Sequence, residues 1–489
     1  MKTRSVDIAI IGAGSAGLSA YREARKHTDR IALIEGGPLG TMCARVGCMP
    51  SKLLIAPAEA RHQLTRLPGF GISVGLGEVD GAAVMRRVRS ERDRFAGFVV
   101  ESMEDFDQSH IVRACARFED AHTLALDPAR VEDAPAPPES RIVAERIVIA
   151  AGSRPHVADP LLAAGDRVIV NDDLFEWPDL PASVAVFGAG AIGLELGQAL
   201  HRLGVAVRVF GRGGRIAGIS DPGVRDYAAR TFAAELPLCL DPREVDIARD
   251  GDSVVVRFVD DEGNARRERY DWLLAATGRR SNVDRLAIEN SGLELDARGI
   301  PVFDTQTLRA GESHIFLAGD VAADRSLQHE AAHEGRMAGR NAARFPEVYR
   351  HARRTPLAIV FSDPQIASVG LGYAQLTAAE RHFAIGEVSF EDQGRSRVML
   401  VNRGLLRVYG EFDSGLLLGA EMIGPHNEHL AHLLAWVIQL RRTVDEVLEL
   451  PFYHPVIEEG VRTALRDLKR ALGRGPKPPP NCLDCGPGG

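Results

Sequence analysis

The strongest constraint on the fold is a pattern that occurs twice. An apolar run at residues 6–11 leads into Gly12-Ala13-Gly14-Ser15-Ala16-Gly17, and another at 184–187 leads into Gly188-Ala189-Gly190-Ala191-Ile192-Gly193. Three glycines at this spacing turn a strand sharply into a helix and bring the backbone close to a pyrophosphate, whose charge then faces the helix N-terminus. One copy is a weak signal; two copies, each with a helical stretch and a further strand behind it, predict two dinucleotide sites. Glu35 closes the strand after the first copy, at the spacing of an acid that bonds ribose hydroxyls. Each copy is also followed at a distance by a strand ending in a related turn, Ala150-Ala151-Gly152-Ser153-Arg154-Pro155 and Ala276-Thr277-Gly278-Arg279-Arg280. Beyond residue 342 the pattern changes to strands at 357–361 and 405–409 and helices starting at His426 and Glu458. The expected fold class is α/β, with two Rossmann-like dinucleotide-binding domains plus a C-terminal α+β domain.

At 489 residues the chain exceeds one hydrophobic core. Its formal net charge of −8 gives no basic face for nucleic acid or an anionic membrane. The first residues enter a strand directly, with no apolar leader or spanning segment, which predicts a cytoplasmic protein. Among six cysteines, Cys43 and Cys48 form a close pair in Thr41-Met42-Cys43-Ala44-Arg45-Val46-Gly47-Cys48-Met49-Pro50-Ser51-Lys52. In a reducing compartment such a pair is more often catalytic or metal-binding than structural. Cys115 and Cys239 read as buried small residues or idle thiols. Residues 130–141 read as a surface loop, and 473–489, rich in Pro and Gly, as a mobile tail ending in Cys482-Leu483-Asp484-Cys485.

The first fingerprint, the Cys43–Cys48 run, the second fingerprint with Glu195, Gly319-Asp320, and His454-Pro455 with Glu459 together resemble the class I pyridine nucleotide:disulfide oxidoreductases, most of all the dihydrolipoamide dehydrogenase type. The resemblance extends from residue 6 to about residue 471. It implies an enzyme with FAD in the first domain and a nicotinamide coenzyme in the second, forming a homodimer through the third. The implied division is 1–155 and 284–345 for FAD, 156–283 for NAD(P), and 346–472 for the interface. FAD would be held by Gly12, Gly14, Gly17, Glu35, Lys52, Gly152, Asp320 and Gln328, and the coenzyme by Gly188, Gly190, Gly193, Arg212 and Gly278. The resemblance makes Cys48 the sulfur facing the flavin and Cys43 the sulfur that exchanges with substrate. A helix N-terminus at the pair would lower both thiol pKa values. Thiol exchange needs an acid/base, for which His454 is the candidate, oriented and charged by Glu459; the family implies that this histidine serves the other subunit. Lys52 and Glu195 are expected as a charge pair beside the flavin, where a cation stabilises its reduced, anionic form. The substrate implied is a dithiol, dihydrolipoamide or a lipoyl protein. The alternative is an NADPH-dependent reductase of glutathione, another small disulfide or a small protein.

The coenzyme site departs from the family's NAD pattern. Where an acid usually ends the second strand stands Gly211, followed by Arg212-Gly213-Gly214-Arg215. Loss of the acid and gain of arginines suit a 2′-phosphate and favour NADP(H), with NAD as the alternative. His329-Glu330-Ala331-Ala332-His333 matches a zinc-protease signature but falls on a helix of the flavin domain, and no metal is assigned to it. The Cys482/Cys485 pair has three readings: an electron-carrying arm, a metal site, or no role.

Overall fold

The structure, a computed structural model, describes residues 2–131, 136–137 and 139–475. The Cys482/Cys485 pair and most of the tail lie outside the described residues, as does part of the loop at 130–141. The chain forms two compact units.

The first unit comprises the chain up to Leu53, Arg86–His156 and Gly278–Arg353. Its parallel strands run in the order Ile111–Val112, Ile31–Ile34, Thr3–Ile11, Arg141–Ile149. The last of these forks: its first residues pair antiparallel with Thr123–Pro128, which pairs in turn with Ala114–Phe118, while Ile147–Ile149 pair parallel with Ile315–Leu317. Their C-terminal parts, residues 8–11, 31–34 and 147–149, are apolar without interruption because both faces are covered there. Ile8, Ile10, Leu33, Val148 and Phe316 enter one core; their neighbours Ala9, Ile11, Ile34, Ile147 and Ile315 enter the other. On one face the helices Ser15–Ala24 and Gln328–Arg344 touch backbone to backbone: a β-carbon on Gly335 or Gly339 would lie 2.1 or 2.4 Å from the carbonyl oxygens of Ala16 or Ala20. The C-terminal ends of these strands bring Gly12, Glu35, Ala150 and Gly319 to one edge, the usual ligand edge of an open parallel sheet. A ribbon of Ser153–Pro155 against Arg279–Ser281, locked by Arg154 on Asp284 at 2.6 and 2.8 Å, lies where the chain leaves this unit and returns.

The second unit comprises Leu54–Met85, Val157–Thr277 and the chain from Arg354. It contains a parallel sheet in the order Leu238–Cys239, Ala206–Phe210, Ser183–Phe187, Trp272–Ala275, Val168–Ile169, with a three-stranded meander over residues 243–270. A five-stranded antiparallel sheet, Leu357–Val360, Gln365–Gly370, Leu417–Gly424, Leu405–Glu411 and Phe383–Ser389, packs against the helices Asn427–Gln439 and Glu459–Ala471. Those helices begin one residue later than the sequence pattern suggests. No helix among the described residues is long and apolar enough to cross a membrane.

Candidate active site

The two fingerprints share one geometry. Gly12 at φ +106° and Gly188 at φ +120° hold conformations open to glycine. A β-carbon on Gly17 or Gly193 would sit 1.7 or 1.8 Å from the carbonyl oxygens of Gly12 or Gly188, so helix meets strand with no room for a side chain. Gly14 and Gly190, at the caps of the helices Ser15–Ala24 and Ala191–Arg202, have nothing within 4 Å of where a β-carbon would stand. Each turn is therefore a cradle with open backbone approach at a helix N-terminus, which fits a dinucleotide pyrophosphate. Glu35 is tied to the first cradle: Oε2 accepts the Ala13 amide at 2.7 Å and Oε1 the Gly37 amide at 2.6 Å.

Asp320 lies in the short turn Gly319–Ala322 and accepts the Ser153 hydroxyl at 2.8 Å. Arg279 donates to that hydroxyl at 2.8 Å and to the Ser153 carbonyl at 2.9 Å, and its guanidinium is 2.7 Å from Met42 Sδ. One chain of contacts thus joins Asp320 to the residue before Cys43. Gly152 (φ +68°) and Gly278 (φ +115°) stand beside this ribbon with open space above them. Gln328 opens the helix Gln328–Arg344. From that helix the buried Glu334 accepts the Gly319 amide at 2.8 Å and pairs with Arg353 at 2.9 Å; burial pushes its carboxyl up to about 7. Glu330 of the zinc-like motif is fully buried and paired with Arg325 at 3.2 Å.

Cys43 sits in the five-residue helix Met42–Val46, capped by Thr41 through the Ala44 amide, and Cys48 opens the helix Cys48–Arg66. Both are free thiols. The Cys43 thiol donates to Cys48, and that bond, together with burial, raises its pKa. This corrects the expectation of a lowered value at Cys43, where a neighbouring sulfur and partial burial outweigh a short helix. Ser51 Oγ donates to the Cys48 carbonyl at 3.1 Å, and Lys52 Nζ to Ser51 Oγ at 3.4 Å. Of the other cysteines among the described residues, Cys115 is half-buried and Cys239 is buried, its thiol on Asp261 at 3.3 Å.

In the second unit Glu195 is buried on the helix Ala191–Arg202, its Oε1 accepting the Phe361 amide at 2.9 Å. The same helix is anchored by Arg202 on Glu235 at 2.5 Å and on Asp363 at 3.1 Å. Beside that cluster, burial and then Arg202 push His62 down to about 4. The structure explains Gly211. A β-carbon there would meet the Leu240 carbonyl oxygen at 2.8 Å and Cα at 2.9 Å, so backbone contact leaves no space for the missing acid. Arg212 and Arg215 are exposed on the following loop, which is held by Gly213 N–H on Asp241 at 2.9 Å and Ala217 N–H on the Ala189 carbonyl at 2.8 Å.

His454 and Glu459 meet. His454 Nδ1 lies 3.0 and 3.1 Å from the two oxygens of Glu459, which is buried at the first position of the helix Glu459–Ala471. A carboxylate accepts, so Nδ1 carries the proton and Nε2 of the half-exposed ring is the available base. The Glu459 oxygens also take the Val456 amide at 3.1 Å and Arg462 at 3.1 Å, and Gln393 donates to the Val456 carbonyl at 2.8 Å. Sequence reasoning missed Arg462, Gln393, Ser153, Arg279 and Glu334. Only Ser153 and Arg279 carried a signal, as members of the two related glycine turns.

Residues 6–339 match the family model described as pyridine nucleotide-disulphide oxidoreductase, and 357–465 match that family's dimerisation domain. The chain is 28% identical over 473 residues to dihydrolipoyl dehydrogenase 2 of Haloarcula marismortui, covering 94% of this chain and 96% of that one. It is 30% identical over 477 residues to mycothione reductase of Mycobacterium tuberculosis, covering 95% and 99%. Its fold is that of the HOCl-induced flavoprotein disulfide reductase RclA from Escherichia coli, with a TM-score of 0.77 at 22% identity over 94% of this chain and 99% of that one. The chain belongs to the pyridine nucleotide-disulphide oxidoreductase family and is an FAD-dependent, nicotinamide-linked disulfide oxidoreductase that carries the family's dimerisation domain.

Proposed function

We propose that the enzyme oxidises a dithiol, dihydrolipoamide or a lipoyl protein, with NAD(P)+ as acceptor, working as a cytoplasmic homodimer in which His454 of one subunit serves the dithiol of the other. The domain division proposed is FAD on 1–155 and 284–345, coenzyme on 156–283 and interface on 346–472. The observation that carries the reading is the His454–Glu459 dyad, in which the buried carboxylate takes Nδ1 and leaves Nε2 of the half-exposed ring available as a base. Extended similarity to dihydrolipoyl dehydrogenases supports it.

A substrate thiolate attacks Cys43 Sγ of the oxidised pair. The Cys43–Cys48 bond breaks, a substrate–Cys43 disulfide forms and Cys48 leaves as thiolate. The second substrate thiol gives its proton to His454 Nε2 and attacks its neighbouring sulfur, which releases the substrate disulfide and Cys43. His454 returns the proton to Cys43, while the Glu459 carboxylate stabilises the imidazolium between the two transfers. Bound FAD supplies the two-electron relay between the reduced pair and the nicotinamide. Overall one dithiol and one NAD(P)+ give one disulfide, one NAD(P)H and one proton. Gly14, Glu35, Gly152, Asp320, Gln328 and Lys52 are proposed to hold FAD, with Lys52 and Glu195 as the charges near its ring; Gly190, Gly278 and Arg212 are proposed to hold the coenzyme, with NADP(H) favoured.

A second reading is supported by Gly211, where backbone contact bars the acid that NAD-linked members use, and by the similarity to mycothione reductase: an NADPH-driven reductase of a small disulfide. Initial rates of dihydrolipoamide oxidation by the FAD-loaded protein, with NAD+ and NADP+ in parallel, decide between them. Turnover supports the dithiol reading and its preferred coenzyme tests Arg212. No turnover, in a protein whose flavin NADPH still reduces, supports the reductase.

A further inference from the structure

We infer that Arg462 is a positioning residue for thiol exchange, sharing the Glu459 carboxylate with His454 and so setting how much of that charge the imidazole feels. The inference deepens the function proposed above and rests on His454 being its acid/base. Glu459, with a side chain only 2% exposed, makes four contacts through two oxygens. Oε1 takes His454 Nδ1 at 3.0 Å and Arg462 Nη2 at 3.1 Å; Oε2 takes His454 Nδ1 and the Val456 amide, both at 3.1 Å. Arg462 stands one turn beyond Glu459 on the same helical face and is itself 15% exposed. Its guanidinium also lies over the Phe452 ring, 5.8 Å from the centroid. The side chain therefore spans the loop from two residues before His454 to the carboxylate behind it, and fastens both ends to one helix.

Several other charges around this helix have partners of their own. It packs on the strands Phe383–Ser389 and Leu405–Glu411 and on the short helix Val444–Leu448. Glu387 is paired with Arg407, Asp445 with Lys469 and Arg474, and Glu446 with Arg442. On its own element, Asp467 pairs with Arg470, and Glu458 precedes Glu459 in the loop. Arg462, on the same Glu459 oxygen as His454 Nδ1, competes with a protonated His454 for this carboxylate. A guanidinium stays charged at every working pH. It shares the Glu459 oxygen that His454 Nδ1 also holds, so taking it away leaves more of that charge to an imidazolium. A lysine keeps the positive charge at this position and so can restore it.

The test compares the FAD-loaded wild type with Arg462→Met, Arg462→Gln and Arg462→Lys. The readout is kcat/KM for dihydrolipoamide oxidation from about pH 5.5 to 8.5, with NAD(P)H-driven ferricyanide reduction, which bypasses the thiols, as the control. Arg462→Met is expected to move the acidic limb to higher pH by roughly half a unit or more, about a threefold loss at the acid end, with the alkaline plateau nearly kept. Arg462→Lys should restore the limb, and flavin content and ferricyanide reduction should not change. If Arg462→Met fails to retain flavin, Arg462→Gln carries the same expectation. A limb that coincides with the wild type, or a loss uniform across pH that lysine does not rescue, overturns the inference. His454→Gln separates the two levels: if it leaves dihydrolipoamide oxidation intact, or if the wild type has none, it is the function proposed above that fails.

Discussion

Replacing Glu334 with glutamine removes a buried carboxylate whose ionisation the fold resists. Glu334 is 2% exposed and holds the Gly319 amide, next to Asp320. Burial raises its pKa from 4.5 to about 7, more than the Gly319 amide and Arg353 lower it. With the folded value above the unfolded one, its contribution to stability is whole below about pH 4.5 and is lost as the pH rises through 7. A shift of this size corresponds to about 3 kcal/mol. Glutamine has the same shape and still accepts the Gly319 amide, so the titrations of all other groups cancel when the two proteins are compared. Urea unfolding of the FAD-loaded wild type and Glu334→Gln should therefore show the wild type losing about 3 kcal/mol relative to the variant between pH 4.5 and 7, and nothing further above it. A difference that is constant with pH, or one that grows in the wild type's favour, refutes the reasoning.

His62 should act with the opposite sign. Its pKa is lowered to about 4, so the folded protein resists a proton that the unfolded chain accepts, and stability is lost as the pH falls from about 6.5 towards 4. His62→Gln should flatten the acidic side of the melting-temperature profile, and a profile as steep as the wild type's counts against this. Gly14→Ala should melt near the wild type but retain less flavin by absorbance, since only open space surrounds its β-carbon, whereas Gly17→Ala should lose about 1–3 kcal/mol or more against the Gly12 carbonyl. Equal effects of the two would contradict the cradle. Gly211→Asp should cost about 1–3 kcal/mol against Leu240 without tightening NAD+ binding by calorimetry; a stable variant with new NAD+ affinity would defeat the steric account.

Both dinucleotide turns, the dithiol, and His454 with Glu459 were legible in the residues, because each is written in a contiguous stretch. A strand-to-helix turn needs its glycines at fixed local spacing, and a histidine five residues before a carboxylate at a helix start can reach it without help from the rest of the chain. What folding alone decided depends on atoms far apart in sequence or on crowding that no pattern records. Arg279 reaches Met42 across 237 positions and Ser153 reaches Asp320 across 167. Gly211 looked like a change of coenzyme, and became also a place where Leu240 leaves no room for a side chain. Cys43 looked like a thiol with a lowered pKa, and its neighbour and its burial raised it. Arg462 is only three residues from Glu459, yet nothing sets it apart in this arginine-rich chain until the helix turns it onto the carboxylate. Sequence determines local backbone geometry, which is short-ranged; only tertiary packing decides electrostatic environment and free space, which are set by whatever else the fold brings alongside.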